Sequence, residues 1–279
     1  MNGPLLILLV NYFNEEETVS FIENQLLQQS GKNLQMVITN NGSHHPEKLT
    51  HLAAKHKSIM LVNSGNNSGY LRGAACGLDF YLNSGRQFPY AVIVSNSDLS
   101  FTDQNFFERL MNNVRSYPAG TSIIGPKIIS TSTESDQNPF LKERISVTKL
   151  KFLRIIFSFY LFYIIYESLS RVKRKLFSIR MRSREDAARH EPVYAVHGSF
   201  IILLKNFFTS GTIHYPSFLF GEEIYLAEQA RMQNQKVIYD STLSLRHREH
   251  SSTGKLKSKT LVNHMKNSVN FLLQNYFSQ

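Results

Sequence analysis

Four short segments carry side chains able to do chemistry, and three of them directly follow an apolar run. After Tyr90–Val94 comes Ser95-Asn96-Ser97-Asp98, where a carboxylate has an amide two residues earlier on the same side of an extended chain. Asn96 and Asp98 can thus supply hard oxygen ligands for Mg²⁺ or Mn²⁺ bridging a diphosphate, or can simply form a turn. The stretch Phe218–Ala230 opens with Gly221-Glu222-Glu223, two acids whose plain role would be to favour a positive helix end. Helical spacing places Glu223 on one stripe with Leu226, Ala227 and Ala230, while Glu222 shares a face with Tyr225, Leu226 and Gln229. An inward carboxylate raised by desolvation suits a general base that takes a hydroxyl proton, so Glu223 is the expected base with Glu222 beside it.

Between Asn63 and Gly73 lies Asn63-Ser64-Gly65-Asn66-Asn67-Ser68-Gly69-Tyr70-Leu71-Arg72-Gly73, a loop that opens a helix. Gly69 and its neighbours permit close backbone approach, and Arg72 in the first turn opposes the helix dipole unless an anion is present. A phosphate partner and a plain turn with a solvated arginine both fit. The loop is neither a Walker A motif nor a G-x-G-x-x-G after the first strand. Finally, Ser244–Gly254 holds Arg246, His247, Arg248 and His250, where imidazole can complete a metal site and guanidinium can clamp phosphate.

These residues must be positioned by the elements around them. Apolar runs at Leu5–Val10, Leu34–Thr39, Ile59–Val62, Tyr90–Ser95 and Ile123–Ile124 predict strands, and Thr18–Gln29, Pro46–Lys55, Gly69–Asn83 and Asp103–Ser116 have helical spacing. Alternation of the two implies an α/β fold, a mostly parallel sheet with helices on both faces. After Ile129 a polar stretch, STSTESDQN, interrupts the pattern. Strands then resume at Val193–Val196, Phe200–Leu204, Val237–Tyr239 and Leu243–Arg246, with helices at Glu222–Gln233 and Lys259–Tyr276. Asn14, ahead of Glu15, Glu16 and Glu17, is the expected cap of the first helix. In such sheets ligands bind beyond the carboxyl ends of the strands, and here those ends carry Asn11, Asn40, Asn41, Asn63, Asn96 and Asp98.

The chain of 279 residues carries a formal charge of +10, and the window Phe140–His190 supplies +9 of it, with thirteen basic and four acidic residues. Inside that window the run Ile155–Tyr166 is too short for a bilayer, which takes about 20 apolar residues. A helix lying on an anionic membrane surface through 150–184 fits the run and its basic flanks; a core or dimer helix is the other reading. No zinc-finger, RRM or basic-zipper signature accompanies the charge, so nucleic acid is not an expected partner. A lone cysteine, Cys76, implies a reducing, cytoplasmic setting, and the acids after Leu5–Val10 argue against a secretory signal.

The order of VNYFNEEET (10–18), ITNNGS (38–43), NSGNNSGYLRGAACGL (63–78), SNSDLSF (95–101), GPKI (125–128), HGSFIILLKNFF (197–208), FLFGEEIYLAEQA (218–230) and LRHREHSSTG (245–254) resembles the family 2 glycosyltransferases, including rhamnosyltransferase-like members. That resemblance implies a GT-A fold with a Rossmann-like sheet, a basic helical insertion and a C-terminal helix. It implies a nucleotide pocket lined by Asn11, Asn40, Asn41, Gly69, Arg72 and Asn96, and a metal held on the donor diphosphate by Asp98. Glu223 would be the base, His247 would touch metal or diphosphate, and His197-Gly198-Ser199 would open the acceptor-side strand. The family more often has Asp where Asn40 stands and Glu-Asp where Glu222-Glu223 stands.

The expectation is therefore one domain: residues 1–129 for the donor, 130–192 as a membrane-proximal insertion, and 193–279 for acceptor and catalysis. It would be an inverting enzyme that uses Mg²⁺ or Mn²⁺ and a nucleoside-diphosphate sugar, and glycosylates a hydroxyl of a lipid-linked or growing cell-surface polysaccharide of the O-antigen or capsule type. The cytoplasmic face of a bacterial inner membrane would be its place. Alternatives are a nucleotidyltransferase that makes the sugar nucleotide, and a non-catalytic basic protein of membrane surfaces; the acids at 15–17, where the former wants a basic Gly-rich loop, weigh against it.

Overall fold

The fold was obtained as a computed structural model, which describes residues 3–30, 33–178, 190–249 and 258–277, with 171–178 described by backbone alone. Arg180 to Arg189 of the basic window and His250 to Gly254 of the last motif lie outside the described residues. Strands β1 (Leu5–Asn11), β2 (Leu34–Asn40), β3 (Ile59–Asn63), β4 (Ala91–Ser95), β5 (Leu99–Phe101), β6 (Thr121–Ser130), β7 (His190–Val193), β8 (Phe200–Leu204) and β9 (Lys236–His247) form one sheet. Its order is β3-β2-β1-β4-β8-β6-β9-β5, with β7 added against β9. The first four of these neighbours are parallel, as expected of a Rossmann-like half. Beyond β4 the sheet is mixed, because β8, β5 and β7 run against their neighbours while β6 and β9 run parallel to each other.

Alternation along the strands sorts the core into two layers. In β1, Leu6 and Leu8 face one cluster, whereas Leu5, Ile7 and Leu9 face the other. The second layer is covered by α1 (Glu15–Phe21), α2 (Pro46–Lys55) and α4 (Phe106–Asn113) through Phe21, Leu49, Leu52 and Phe106. The first is covered by α3 (Tyr70–Asn83), α5 (Val147–Ser158), α6 (Tyr160–Ser178), α7 (Glu222–Met232) and α8 (Lys259–Tyr276). Each fully buried aliphatic side chain contributes about 1.5–3 kcal/mol relative to exposure, so this double core fixes the rim where the strands end.

Several sequence expectations need correction. The stretches Val237–Tyr239 and Leu243–Arg246 are one strand, β9, which absorbs the polar Asp240-Ser241-Thr242 as an irregularity: Pro126 pairs with Asp240 but Lys127 with Ser244. The strand expected at Val193–Val196 is instead His190–Val193, and the short β5 was not expected. Asn14 stands at the start of α1 without capping it. Its Oδ1 accepts the Tyr12 N–H at 3.0 Å and its amide donates to Ser97 Oγ at 3.1 Å, tying the end of β1 to the loop after β4. The apolar run Ile155–Tyr166 is not one helix: α5 and α6 meet at Phe159 with a bend of 120°. Among the described residues no single helix is long and apolar enough to cross a membrane.

Candidate active site

Because β1, β2, β3, β4, β6 and β9 point the same way, their last residues share one rim. Three of them form an asparagine ladder in register, Asn11 beside Asn40 beside Asn63. The Asn11 amide donates to Asn40 Oδ1 at 3.0 Å, to the Gly42 carbonyl at 2.9 Å and to Ser43 Oγ at 3.1 Å, and its oxygen accepts Thr18 Oγ1 at 3.3 Å. Asn11 is fully buried, so it shapes the rim from beneath rather than lining an open pocket. Asn40 is half-buried and donates onward to Asn63 Oδ1 at 3.1 Å. Asn41 is buried and holds the next loop, donating to the Gly69 carbonyl at 2.9 Å and accepting from Ser64 and Ser68.

The loop before α3 is tightly built, although not around an empty anion cradle. Gly69 has φ +87°, and a Cβ there would lie 1.9 Å from the Phe218 carbonyl oxygen, so this glycine allows two segments of the chain itself to touch. Its N–H already donates to Asn67 Oδ1 at 3.0 Å. Arg72 is exposed on the first turn of α3.

Sequence reading passed over Tyr70, which begins the same helix. Its hydroxyl donates to the Gly198 carbonyl at 3.1 Å, and burial followed by the charges of Glu222, Asp98 and Glu223 pushes its pKa well above the ordinary tyrosine range. One side chain therefore senses three carboxylates from two distant segments. Also missed were Tyr12 and Phe13, two aromatic rings left exposed at the rim, with Phe13 tilted against His44, ring centres 4.4 Å apart, and its backbone at φ 54°. An exposed aromatic directly after a buried strand was the available signal.

The segment His197-Gly198-Ser199, leading into β8, joins the two halves of the site. Asn96, half-buried, donates its N–H to the Ser199 carbonyl at 2.8 Å. On the other side the Gly198 backbone N–H faces the Glu223 carboxylate and favours its charged form, and a Cβ on Gly198 would sit 2.7 Å from Glu223 Oε1. His197 packs its ring 5.9 Å from that of His247, and burial, then the neighbouring His247, lowers its pKa to about 4. The Ser199 N–H donates to His197 Nδ1 at 3.2 Å, leaving the ring proton on Nε2.

Glu222 and Glu223 do not divide as the helical wheel implied. Glu222 is buried at 7% exposure while Glu223 is only half-buried. The wheel assumed one apolar and one solvent face, but α7 buries Glu222, Ile224, Tyr225, Leu226, Ala227, Glu228 and Ala230 all round, which leaves Glu223 the more accessible of the two acids. Burial raises Glu222, reinforced by the charge of Glu223; burial also raises Glu223, against the pull of its own N–H and that of Gly198. A raised, partly accessible carboxylate is a stronger proton acceptor than an ordinary one.

Asp98 and His247 form the opposite pole, with His247 Nε2 at 3.1 Å from Asp98 Oδ1 and also at 3.1 Å from Oδ2. The Arg248 N–H donates to the Asp98 carbonyl at 2.9 Å, so the end of β9 is laced to the loop after β4. Neighbouring ligands about 2.1 Å from an octahedral Mg²⁺ stand about 3.0 Å apart, so this pair has the donor chemistry and spacing for such a cation. Among the described residues no three His, Cys, Asp or Glu side chains converge as a metal cage. A cation here would complete its shell with phosphate oxygens and water, which is how Mg²⁺ usually meets a nucleotide. A pronounced cavity of about 570 Å³, lined by Phe88, Tyr90 and Phe208 among others, opens at the opposite edge of the sheet and belongs to none of this chemistry.

The family model described as “Glycosyl transferase family 2” matches residues 8–208. No curated protein matches the sequence. Among solved structures, the mannosyltransferase PcManGT from Pyrobaculum calidifontis, in complex with GDP-Man and Mn²⁺, is 12% identical with a TM-score of 0.52. That match covers 88% of this chain and 57% of the other, so the chain spans little more than half the length of that relative. S. aureus TarS 1-349 in complex with UDP-GlcNAc is 10% identical with a TM-score of 0.60, covering 98% of this chain and 67% of TarS. A second TarS 1-349 structure gives 10% identity and 0.56, covering 99% and 74%. At such identities the likeness is one of fold.

Proposed function

Since the chain belongs to glycosyl transferase family 2 and carries an α/β fold with a mixed sheet and flanking helices, we propose that it transfers a sugar from a nucleoside-diphosphate donor to an acceptor hydroxyl with inversion. The observation that carries this reading is the convergence of Asp98–His247 and Glu222–Glu223 on the two sides of His197–Ser199. The donor nucleoside lies over the rim of β1 and β2, where the exposed ring of Phe13 offers a stacking face beside Asn40, and Asn41 shapes the loop beneath. Asp98 and His247 would hold Mg²⁺ or Mn²⁺, which when bound supplies positive charge to a leaving diphosphate. Arg72, exposed on α3, is a further cation for it. Glu223 takes the proton of the acceptor hydroxyl as that oxygen attacks. Burial holds Glu223 above the ordinary carboxylate range, and the charge of Glu223 adds to burial in raising Glu222 beside it.

The GDP-Man and Mn²⁺ of the mannosyltransferase and the UDP-GlcNAc of TarS support the donor class and the metal. The rhamnosyl-type donor implied by the motif order is part of this reading, and a panel of nucleoside-diphosphate sugars screened by thermal shift with Mn²⁺ tests it. The site itself is tested by calorimetric titration with nucleoside diphosphate and Mn²⁺. Asp98→Ala should lose metal-dependent binding; unchanged titration would refute the assignment.

The acceptor in this proposal is a lipid-linked glycan met at the cytoplasmic membrane surface. Support comes from α5 and α6, whose inner sides Leu150, Phe157 and Tyr163 are buried while Phe152, Ile155, Phe159, Leu161, Phe162 and Ile165 stay exposed. Exposed Lys149, Lys151 and Arg154 rim that apolar corner, as an anionic bilayer surface requires. The corner also packs on α8, where Lys259 lies over the Tyr160 ring, and Ser268 of α8 accepts or donates at 2.8 Å to Tyr215 beside Gly221. One helix thus links the lipid-facing corner to the start of α7 and its two acids.

A further inference from the structure

His247 can offer a cation its Nε2 lone pair only if the ring proton is kept on Nδ1, and the groups that decide this lie behind the ring. They are Gln137, from the polar stretch after Ile129 that interrupts the strand pattern, and Glu249, two residues beyond His247. His247 Nδ1 meets Gln137 Oε1 at 2.8 Å. Gln137 turns its amide nitrogen the other way, onto Glu249 Oε1, and Glu249 Oε2 accepts the hydroxyls of Ser130 at 2.9 Å and Ser132 at 2.5 Å. A carboxylate offers only acceptors, so the amide nitrogen must face Glu249 and the amide oxygen must face the ring. Nδ1 then carries a proton, so Nε2 is the nitrogen left to face Asp98. Nε2 and the carboxylate, 3.1 Å apart, are held together by positive charge between them, either a proton on Nε2 or a cation that takes its place.

The relay is held firmly. The Gln137 N–H donates to the Ile128 carbonyl at 2.8 Å. The neighbouring Asp136 accepts the N–H groups of Ile128 at 3.0 Å and Asn138 at 2.9 Å, together with the Tyr239 hydroxyl at 2.6 Å. Ser130 and His247 are register partners at the ends of β6 and β9, so both ends of the relay rest on the sheet.

We propose that Gln137 and Glu249 are positioning residues of the cation site, fixing the tautomer and orientation in which His247 meets a divalent metal beside Asp98. The inference rests on the reading of Asp98 and His247 as the metal pair. Neither Gln137 nor Glu249 touches the substrate in this account; both act through the imidazole.

The test is Mn²⁺ binding, followed by the loss of the free-ion EPR signal as protein is titrated, first with Mn²⁺ alone and then with inorganic pyrophosphate. Gln137→Leu should weaken Mn²⁺ binding by about 10–100-fold, the usual cost of removing a partner behind a metal ligand. It should also weaken the imidazole nitrogen coupling in the pulsed-EPR spectrum of bound Mn²⁺, a signal that a merely structural defect would not single out. The exchanged pair Q137E/E249Q restores the acceptor behind Nδ1 and a donor on it from residue 249, and should return within about threefold of wild type; Q137E alone should not. Comparing those two variants carries the test if Gln137→Leu fails to fold. If Asp98→Ala loses Mn²⁺ while Gln137→Leu binds it like wild type, or the exchanged pair stays as weak as Q137E, the relay is wrong and the metal pair stands. If Asp98→Ala binds Mn²⁺ like wild type, or wild type binds none, the metal pair falls and the relay with it.

Discussion

Gly198→Ala puts one methyl group between the two poles of the site and is the most discriminating small change available. The backbone tolerates it, because Gly198 lacks the positive φ that would exclude alanine. The added Cβ would lie 2.7 Å from Glu223 Oε1 and 3.3 Å from its carboxyl carbon, where ordinary contact begins at 3.4 Å. The carboxylate must therefore retreat by about 0.7 Å or rotate, away from the Gly198 N–H that favours its charge. Misplacing a reacting group by about 1 Å costs about 100-fold in rate. We expect kcat to fall by about 30–100-fold, with donor affinity in the presence of Mn²⁺ within about twofold of wild type. Initial rates of nucleoside-diphosphate release, paired with calorimetric donor titration, separate the two quantities. A variant that keeps more than half of wild-type kcat, or loses donor affinity and rate together, would refute the placement of Glu223 as the base against this segment.

Glu222→Gln removes a buried charge whose pKa is raised by burial and by Glu223, so the folded state holds that proton more tightly than the unfolded chain. The wild-type cost is thus absent below the ordinary carboxylate range and complete above the raised value. The variant should gain about 1–3 kcal/mol at pH 8.5, read as a melting temperature about 2–4 °C higher per kcal/mol, and gain nothing at pH 4; an equal gain at both pH values contradicts the cause. The sequence contains no tryptophan, so Phe159→Trp reports on the apolar corner alone. Its emission should shift to the blue with phosphatidylglycerol vesicles and not with phosphatidylcholine vesicles. Leu161→Glu on that background should weaken the partition at least about tenfold, the 1.4 kcal/mol expected for keeping an apolar side chain out of lipid. A blue shift that instead grows with protein concentration in the absence of vesicles would assign the corner to contact between copies of the chain.

How much of this was legible in the sequence depended on whether a signal was local. Helix α2 begins at Pro46 and α8 ends at Tyr276 as spacing predicted, because proline at a first turn and sustained apolar periodicity are short-range facts. The strand-end asparagines and Asp98 were visible for the same reason. Glu222 and Glu223 were found, but their burial was misjudged, because a helix pressed between the sheet and α8 carries no amphipathic stripe to read. The break at Phe159 was hidden by a run apolar on both sides of it. Tyr70 and Gln137 were missed because their roles are long-range: Tyr70 reaches Gly198 across 128 positions, and Gln137 reaches Glu249 across 112. Asn11 illustrates the limit of a correct location, since it stands at the rim yet spends its hydrogen bonds holding the ladder together.

In the proposed reaction Glu223 accepts the acceptor proton while Asp98 and His247 secure the donor end of one shared site. Glu223→Gln, nearly identical in shape, measures it most directly when donor binding with Mn²⁺ and single-turnover transfer are followed on the same preparation. Donor affinity should be unchanged and transfer reduced by about 10²–10⁴-fold, the span attributed to a general base. Transfer at close to the wild-type rate, with the donor bound equally well, would contradict it.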